Sequence, residues 1–189
     1  MTSQEIINTT QNWLTSFIIT YSICPFARQV HENNSISYEV ISDDSLESGL
    51  LALIKACQHL DTNPEIVTTL QIFTAIGSNF DDFLDFVAIA EQLLIDQGYE
   101  GIYQLANFHP DYCFAGSTEN DPANYTNRSP YPMLHIIRED SITAALQSYQ
   151  NPELIPERNI EFTRKLGLEK LQGLLAGSYL DTSLNKHLK

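Results

Sequence analysis

Hydrophobic positions follow helical spacing in some segments of the chain and strand spacing in others. Segment 4–21 has apolar residues mostly three or four apart, which predicts a helix. Segments 36–41, 68–73 and 102–108 are short and rich in β-branched or aromatic residues, which is typical of strands. The segments that join these strands have helical spacing again. One follows the cap residues 43–45, and the other begins after Ser78 or Asn79 and ends at Gly98.

This order of elements, β-α-β-α-β, predicts an α/β fold. Crossovers of this type are right-handed and join parallel strands. We therefore expect a mainly parallel sheet of at least three strands, flanked by N-terminal and C-terminal helices. Ligands of such sheets bind beyond the C-terminal ends of the strands. The third predicted strand ends at Phe108, so the residues after it are the first candidates for a site.

The chain after the third strand predicts a long loop and then further helices. Residues 117–129 are polar, with too few apolar side chains for a buried element, and predict a loop over the end of the sheet. Pro130 and Pro132 suit the first turn of a helix that extends to about residue 149. Two more helices are predicted at 157–166 and 168–175. We expect one domain, 1–189, in which 151–189 is a helical extension packed on the rest.

Composition and charge exclude several classes of protein. The chain has 189 residues, of which 43% are hydrophobic, and this composition indicates a globular protein. A formal charge of -14 disfavours binding to nucleic acids and to anionic membranes. No segment approaches the roughly 18 consecutive apolar residues of a membrane span. Three widely spaced cysteines do not make a disulfide framework and there is no basic leader, so the sequence favours the cytoplasm.

Three motifs resemble the hallmarks of one bacterial family. Residues 24–27 read Cys-Pro-Phe-Ala, residues 108–112 read Phe-His-Pro-Asp-Tyr, and residues 124–132 read Asn-Tyr-Thr-Asn-Arg-Ser-Pro-Tyr-Pro, with His135 and Arg138 following. These motifs resemble domain of unknown function 1415 over nearly the whole chain. The resemblance supports the boundaries of the domain and implies no activity, cofactor or catalytic residue.

Residues 24–27 also resemble, locally, a turn of glutaredoxins and omega-class glutathione transferases. In those families a similar turn opens a helix, and a strand like segment 37–41 follows. Ala27 stands where a second thiol would lie, and no Val-Pro turn precedes a later strand. The likeness therefore carries neither disulfide exchange nor glutathione binding over to this chain.

Cys24 has two interpretations. As the residue before a proline at a helix start, with Arg28 one turn further on, its thiol would have a lowered pKa and would act as a nucleophile. Alternatively, Cys24 shares an inward helix face with Trp13 and Phe17 and is a small core residue. Cys57 lies on the apolar face of a predicted helix and is expected in the core.

His109 and His135 are the candidate acid–base residues. His109 follows the third strand directly, and Asp111 is near enough in sequence to orient its imidazole. Together with Asp121 the two histidines could instead bind a metal, although their spacing matches no known zinc signature. Each histidine also has a structural interpretation, in which the ring satisfies nearby main-chain groups. Solvated or helix-end positions are expected for the remaining histidines, His31, His59 and His187.

Scarce cations mark the candidate binding site. Residues 1–150 contain 19 Asp and Glu but only four Lys and Arg. These four are Arg28, Lys55, Arg128 and Arg138. Arg128 lies among side chains that can bind a carboxylate or a phosphate, which are Asn124, Asn127 and Ser129. His135 and Arg138 extend this set, with Arg138 as the second cation.

Arg128 and its neighbours also have a structural interpretation. Arg128 would then pair with Asp121 or Glu139, and the asparagines would hold the long loop together through side-chain to main-chain hydrogen bonds. A loop of this length in a compact domain is usually either functional or disordered. The functional interpretation and the structural one are therefore both kept.

Three functions follow from these residues. The leading hypothesis is a cytoplasmic enzyme that acts on a small anion held by Arg128, Asn127 and Ser129. In that enzyme His109 supplies acid–base catalysis, and Cys24 is the candidate nucleophile. The second hypothesis is a non-catalytic module that binds a small molecule or a partner protein. The third is metal-dependent hydrolysis by the histidines and aspartate named above. The sequence identifies no cofactor, no bound metal and no oligomeric state.

Overall fold

The computed structural model describes residues 1–147 and 149–180, and for Leu180 the main chain only. The end of the predicted helical extension, 181–189, lies outside the described residues together with His187. Contacts within the chain form two compact units. The first unit contains 1–28, 109–130 and the described residues after 150, and the second contains 29–108 and 131–150. The expectation of one domain stays a prediction.

Most predicted helices are confirmed. The α-helices are α1 (Ser3–Trp13), α2 (Ala27–Glu32), α3 (Leu46–Thr62), α4 (Phe80–Asp96), α5 (Glu139–Gln147), α6 (Ile155–Leu166) and α7 (Leu168–Leu180). A π-helix, Leu14–Ile19, continues α1, and short 3-10 helices occupy Pro122–Thr126 and Pro152–Leu154. The predicted helix over 4–21 is thus α1 followed by the π-helix, and the two predicted tail helices are α6 and α7.

The second unit contains a four-stranded sheet in the order β1-β2-β4-β3. Its strands are β1 (Ile36–Ile41), β2 (Thr68–Phe73), β3 (Tyr103–Phe108) and β4 (Met133–Arg138). β1 and β2 are parallel, whereas β4 runs antiparallel to both of its neighbours. The prediction of a mainly parallel sheet is therefore wrong, while the α/β class and the three predicted strands are confirmed.

The sheet differs from the prediction because β4 is inserted between β2 and β3. The strands β1, β2 and β3 share one direction, as the predicted crossovers require, but β3 pairs with β4 rather than with β2. The predicted helix over 130–149 is wrong in its first half, where 133–138 form β4 and the chain enters α5 only at Glu139. Within 133–138, Met133, Leu134 and Ile136 are buried and the other three residues are half-buried. Periodicity does not distinguish a strand from a helix in so short a buried run.

Helices α3 and α4 cover the same face of this sheet. Their buried side chains form one hydrophobic core with Phe73 of β2 and Leu134 of β4. Cys57 of α3 is fully buried in this core, as predicted. Gly49 of α3 permits a close approach, because a Cβ atom there would lie 2.7 Å from Cδ1 of Ile76.

The turn between β2 and α4 depends on a second glycine. Gly77 has a φ of +67°, in the left-handed region that favours glycine. A Cβ atom at this position would also lie 2.6 Å from Cδ2 of Phe83. Phe83 is fully buried, and its ring centroid lies 6.4 Å from that of Phe73. Any side chain at position 77 would therefore displace a core residue.

The first unit is built from helices and the loop 109–130. Thr2 and Glu5 form a capping box at the start of α1, in which each side chain accepts a hydrogen bond from the main chain of the other. Helix α7 packs on α1 and on the π-helix, and α6 packs on the 3-10 helix Pro122–Thr126. Asn12 of α1 also donates from Nδ2 to the Ser178 carbonyl at 3.3 Å. The predicted C-terminal extension is therefore packed on the N-terminal helix and on the loop.

The substitution Gly77→Ala is expected to lower the free energy of unfolding by more than Gly98→Ala does. Both glycines have positive φ, where alanine costs about 1 kcal/mol. At Gly98 a Cβ atom would meet nothing within 4 Å, whereas at Gly77 it would press on Phe83, which adds about 1–3 kcal/mol. Urea unfolding followed by circular dichroism measures both losses. Equal losses would show that Phe83 moves aside at little cost.

Candidate functional site

The loop 109–130 carries most of the predicted site residues, and its two ends are joined by main-chain hydrogen bonds. The His109 N–H donates to the Asn127 carbonyl at 3.2 Å, and the Ser129 N–H donates to the His109 carbonyl at 3.4 Å. Side chains of His109 and Ser129 are both buried. The structure therefore brings these three predicted residues together within the first unit.

Asn124 holds the middle of the loop. Its Oδ1 accepts a hydrogen bond from the Phe114 N–H at 3.1 Å, and its Nδ2 donates to the Thr118 carbonyl at 2.8 Å. The same Nδ2 also lies 3.7 Å from Sγ of Cys113. Asn124 is fully buried, and these hydrogen bonds hold the loop together in the way that its structural interpretation expected. Its predicted part in ligand binding stays a prediction.

Arg128 is held by main-chain carbonyls. Its Nε donates to the Tyr112 carbonyl at 3.0 Å, and its Nη2 donates to the Glu119 carbonyl at 2.8 Å. The guanidinium carbon lies 4.9 Å from the centroid of the Tyr125 ring, which is a cation–π contact. The Arg128 carbonyl in turn accepts a hydrogen bond from Nε1 of Trp13 at 3.1 Å.

One edge of the Arg128 guanidinium is unused. Within the described part of the chain, Nη1 has no hydrogen-bond partner and no carboxylate forms an ion pair with Arg128. The ion pairs with Asp121 or Glu139 that the structural interpretation expected are therefore not formed. The charge of Arg128 and the two N–H groups of its Nη1 are therefore not used by the described residues.

Asp121 is engaged by a residue that the sequence did not identify. Arg164 of α6 binds it in a bidentate manner, with Nε 3.1 Å from Oδ1 and Nη2 2.7 Å from Oδ2. This guanidinium holds the pKa of Asp121 well below its usual value. Asp121 also caps the 3-10 helix by accepting from the Ala123 N–H at 2.9 Å. The distance of Arg164 in sequence, outside any motif, explains why it was missed.

Arg128 lines a crevice of the first unit that has apolar walls. The crevice is too narrow to admit a water molecule. Besides Arg128 it is lined by three aromatic side chains and by leucines of α7, which are Trp13, Phe17, Tyr125, Leu171, Leu174 and Leu175. Both aromatic residues of α1 and the π-helix are buried, and their proximity to Arg128 could not be predicted because about 110 residues separate them in sequence.

The imidazole of His109 has a defined tautomer. Its Nδ1 accepts a hydrogen bond from the Asp111 N–H at 3.0 Å, so the proton of the neutral ring lies on Nε2. The Asp111 side chain itself is exposed. Asp111 thus orients His109 through its main chain, not through the carboxylate that the sequence analysis invoked.

Cys24 does not have the environment of an activated thiol. It lies in the turn between the π-helix and α2, before the start of α2 at Ala27. Burial raises the pKa of its thiol, although the N–H groups of Phe26 and Ala27 oppose this rise. Asn159 of α6 fixes the turn by donating from Nδ2 to the Ile23 carbonyl at 2.7 Å. The expected lowering of the Cys24 pKa is therefore wrong in direction.

His135 and Arg138 lie on β4, in the second unit. In the sheet His135 is opposite Leu70 of β2 and Ala106 of β3. Burial lowers the pKa of His135 to about 4, so the ring is neutral at pH 7. Because 133–138 form a strand, these two residues do not follow a helix N-terminus as predicted.

Arg138 closes the C-terminal end of α3. Its Nη2 donates to the Leu60 carbonyl and its Nε to the Ile66 carbonyl, the latter at 3.2 Å. Its Nη1 donates to Oη of Tyr103 at 3.2 Å, and this hydroxyl donates to Oδ1 of Asp61 at 2.6 Å. All three nitrogens of Arg138 are thus engaged, unlike those of Arg128.

The predicted metal ligands do not form a metal site. Among residues 1–147 and 149–180, no three His, Cys, Asp or Glu side chains come together in a way that could hold a metal ion. Asp121, one of the predicted ligands, is bound to Arg164 instead. In the same part of the chain no helix is both long enough and apolar enough to cross a membrane.

The family model for proteins of unknown function named DUF1415 matches residues 5–173. The chain belongs to this family. The match covers nearly all of α1, the whole loop 109–130 and the beginning of α7, and it ends before Leu174 and Leu175 of the DUF1415 protein. Neither a curated protein nor a solved structure matches the chain.

Cys24 is expected to react slowly with iodoacetamide in the folded protein. Burial raises its pKa, so little thiolate is present at pH 7, whereas a free cysteine has a pKa of about 8.5. Peptide mass spectrometry resolves the rate of each cysteine as a function of pH. Cys57, whose pKa is raised to about 12 by burial, serves as the unreactive control. Rapid alkylation of Cys24 with an apparent pKa below 8.5 would restore the nucleophile hypothesis.

Asp121→Asn is expected to lower the Tm slightly at pH 7. The amide retains the cap on the Ala123 N–H but loses the ion pair with Arg164. The pKa of Asp121 is lowered in the folded state, so the ion pair stabilises the protein above the usual pKa of aspartate, near 3.9. This contribution disappears as the pH falls through the lowered pKa. Calorimetry of both proteins between pH 7 and pH 2 measures the difference, which should shrink on acidification.

Proposed function

We propose that this DUF1415 protein binds a small anion, a carboxylate or a phosphate, at the Nη1 edge of Arg128. The observation that carries the proposal is that this guanidinium is fixed by two main-chain carbonyls and by Tyr125 while Nη1 has no partner among the described residues. A guanidinium held in this way is preorganised, because its rotamer entropy is lost before a ligand arrives.

The charge of the chain strengthens this argument. The formal charge is -14, so carboxylates outnumber cations widely. A charge in partly apolar surroundings costs free energy unless it is paired. An anionic ligand would supply the missing partner of Arg128 through charge-assisted hydrogen bonds.

Arg138 provides the comparison within the same chain. It also contacts a tyrosine ring, with its guanidinium carbon 5.7 Å from the centroid of Tyr103, and it also binds main-chain carbonyls. Its third nitrogen is occupied by the Tyr103 hydroxyl, which is itself bound to Asp61. We therefore assign the ligand to Arg128 alone and a structural role to Arg138.

Acid–base chemistry on the bound anion would be assigned to His109. The main chain of His109 pairs with Asn127 and Ser129, the residues on either side of Arg128, and its neutral ring carries the proton on Nε2. A neutral ring in this tautomer offers a hydrogen-bond donor at Nε2. The enzymatic form of the proposal keeps His109 as the acid–base residue and gives Cys24 no role.

Anion binding is expected to change the fluorescence of Trp13, the single tryptophan, because its Nε1 is bound to the Arg128 carbonyl. The full chain is titrated at constant ionic strength with inorganic phosphate, acetate and octanoate. At least one of these should bind saturably. Arg128→Gln should weaken that binding about tenfold or more, since a hydrogen bond to a charged group contributes about 1.5–3 kcal/mol.

Arg138→Gln is the matched control, because it removes similar contacts to carbonyls and to a tyrosine ring. It should lower the Tm but leave the Kd of each anion unchanged. Titration of Arg128→Lys, which retains the charge without the planar donor pair, should give an intermediate Kd. The proposal fails if no anion of the panel binds, or if Arg128→Gln binds as tightly as the unmodified protein.

A further inference from the structure

β1 lies at an edge of the four-stranded sheet, with β2 on one side and no strand on the other. The Thr74 N–H donates to the Ile41 carbonyl at 3.1 Å, so the main-chain groups of Ile41 point toward β2. Main-chain groups of successive residues in a strand point to opposite sides. Those of Ile36 and Val40 therefore point away from β2, along what we call the open edge of β1.

The open edge has hydrogen-bonding groups that the chain does not use. In the described part of the chain, the N–H and C=O groups of Ile36 and Val40 have no hydrogen-bond partner. Both residues are only half-buried, and the elements that mainly pack on β1 are β2 and α3. An unpaired strand edge of this kind is a template for pairing with another strand.

β1 has few of the features by which proteins protect a strand edge. Its sequence, Ile-Ser-Tyr-Glu-Val-Ile, contains no Lys, Arg or Pro, and all six residues pair with β2 without a bulge. Its one charged side chain, Glu39, accepts a hydrogen bond from Nε2 of Gln71 in β2 at 3.0 Å, which turns the charge away from the open edge. The other edge strand, β3, contains Ala106 and Asn107, which have low strand propensity. β1 is therefore the edge better suited to a partner strand.

A second copy of β1 fits the open edge in one register. In an antiparallel pair related by a two-fold axis perpendicular to the sheet, residues opposite each other lie on the same face. The central residue is then opposite its own copy, and it is either Tyr38 or Glu39. Two copies of Glu39 would set their carboxylates directly against each other, which is destabilising. The register centred on Tyr38 instead pairs Ile36 with Val40 of the second copy and sets Ser37 opposite Glu39.

We infer that this protein forms a symmetric dimer in which β1 of two copies pairs antiparallel about Tyr38 and joins their sheets into one. Ile36 of each copy then exchanges two main-chain hydrogen bonds with Val40 of the other. The strand needs no partner of different sequence, because its own register satisfies the unused groups without opposing like charges. β1 belongs to the second unit and Arg128 to the first, so the inference does not rest on the proposed anion site.

Sedimentation velocity of the full chain tests the dimer. Salt of about 0.3 M screens the repulsion between two chains of formal charge -14. Under these conditions monomer should convert to dimer between about 1 and 200 µM, as expected for a small interface. A chain that stays monomeric up to about 200 µM would show that the open edge does not pair with itself.

Val40→Pro should abolish the dimer. Proline removes an N–H that points away from β2, so the ladder with β2 stays complete, and circular dichroism checks that the sheet is retained. Val40→Thr keeps the N–H and a β-branched side chain, and as the matched control it should dimerise like the unmodified chain. Normal dimerisation of Val40→Pro would overturn the inference.

Ser37 tests the interface without a change in the main chain. Ser37→Lys sets a positive charge opposite Glu39 of the second copy and should lower the Kd of the dimer, whereas Ser37→Glu should raise it. Each change should be about tenfold, because the dimer contains two such pairs. Equal Kd values for the two variants would contradict the inference even where Val40→Pro does not fold.

Disulfide cross-linking tests the register. Opposite residues of a hydrogen-bonded antiparallel pair have Cα atoms about 5.5 Å apart, within the range of a disulfide. Tyr38→Cys should therefore form a covalent dimer with oxidised glutathione. Ile36→Cys should not, because its two copies would lie about 14 Å apart along the strands. The unmodified chain gives the background of its own cysteines, and equal cross-linking of the two variants would show that the register is wrong.

Discussion

The hydrogen bonds from the Arg128 guanidinium to the Tyr112 and Glu119 carbonyls are the interaction on which the candidate site depends. The loop 109–130 contains only one short 3-10 helix, so its backbone must be ordered by side chains. Asn124 and Arg128 do this from inside the loop, and Arg164 does it from α6 through Asp121. The same contacts that order the loop also immobilise a cation. Because these contacts fix the guanidinium, it is already oriented when a ligand arrives. This reduces the conformational entropy that is lost on binding.

Arg128 and Arg138 have similar contacts, but they differ in whether a carboxylate compensates the charge. Arg138 satisfies carbonyls near the end of α3 and reaches a carboxylate through the Tyr103 hydroxyl, so its charge is compensated within the second unit. Arg128 satisfies carbonyls of a loop and stacks on Tyr125, but no carboxylate of the described residues compensates its charge. Sequence alone kept both cations as candidate binding residues, with Arg138 second to Arg128. The distinction between a structural and a binding arginine came from counting the partners of each nitrogen.

How much of the fold could be predicted depended on whether local sequence or long-range pairing determines each element. The strands β1 and β2 were predicted at their observed bounds, because each is a short β-branched or aromatic run bounded by turn residues. β4 was predicted as a helix, because Pro130 and Pro132 suit a helix start and residues 133–138 are too few to show a period. Its identity is determined by pairing with β2 and β3, which are distant in sequence. The sheet therefore became mainly antiparallel although the order of its first five elements was correct.

The candidate site, too, could be predicted from the sequence only where local signals determine it. Arg128, Asn124 and His109 could be selected from the sequence because scarce cations and polar loop residues after a strand are local signals. The apolar walls could not, since Trp13 and Leu174 lie on opposite sides of the loop in sequence and meet it only through helix packing. Charge alone therefore selects the arginine. The apolar side chains that line the crevice with it come from the packing of α1, the π-helix and α7, and no local pattern predicts that packing.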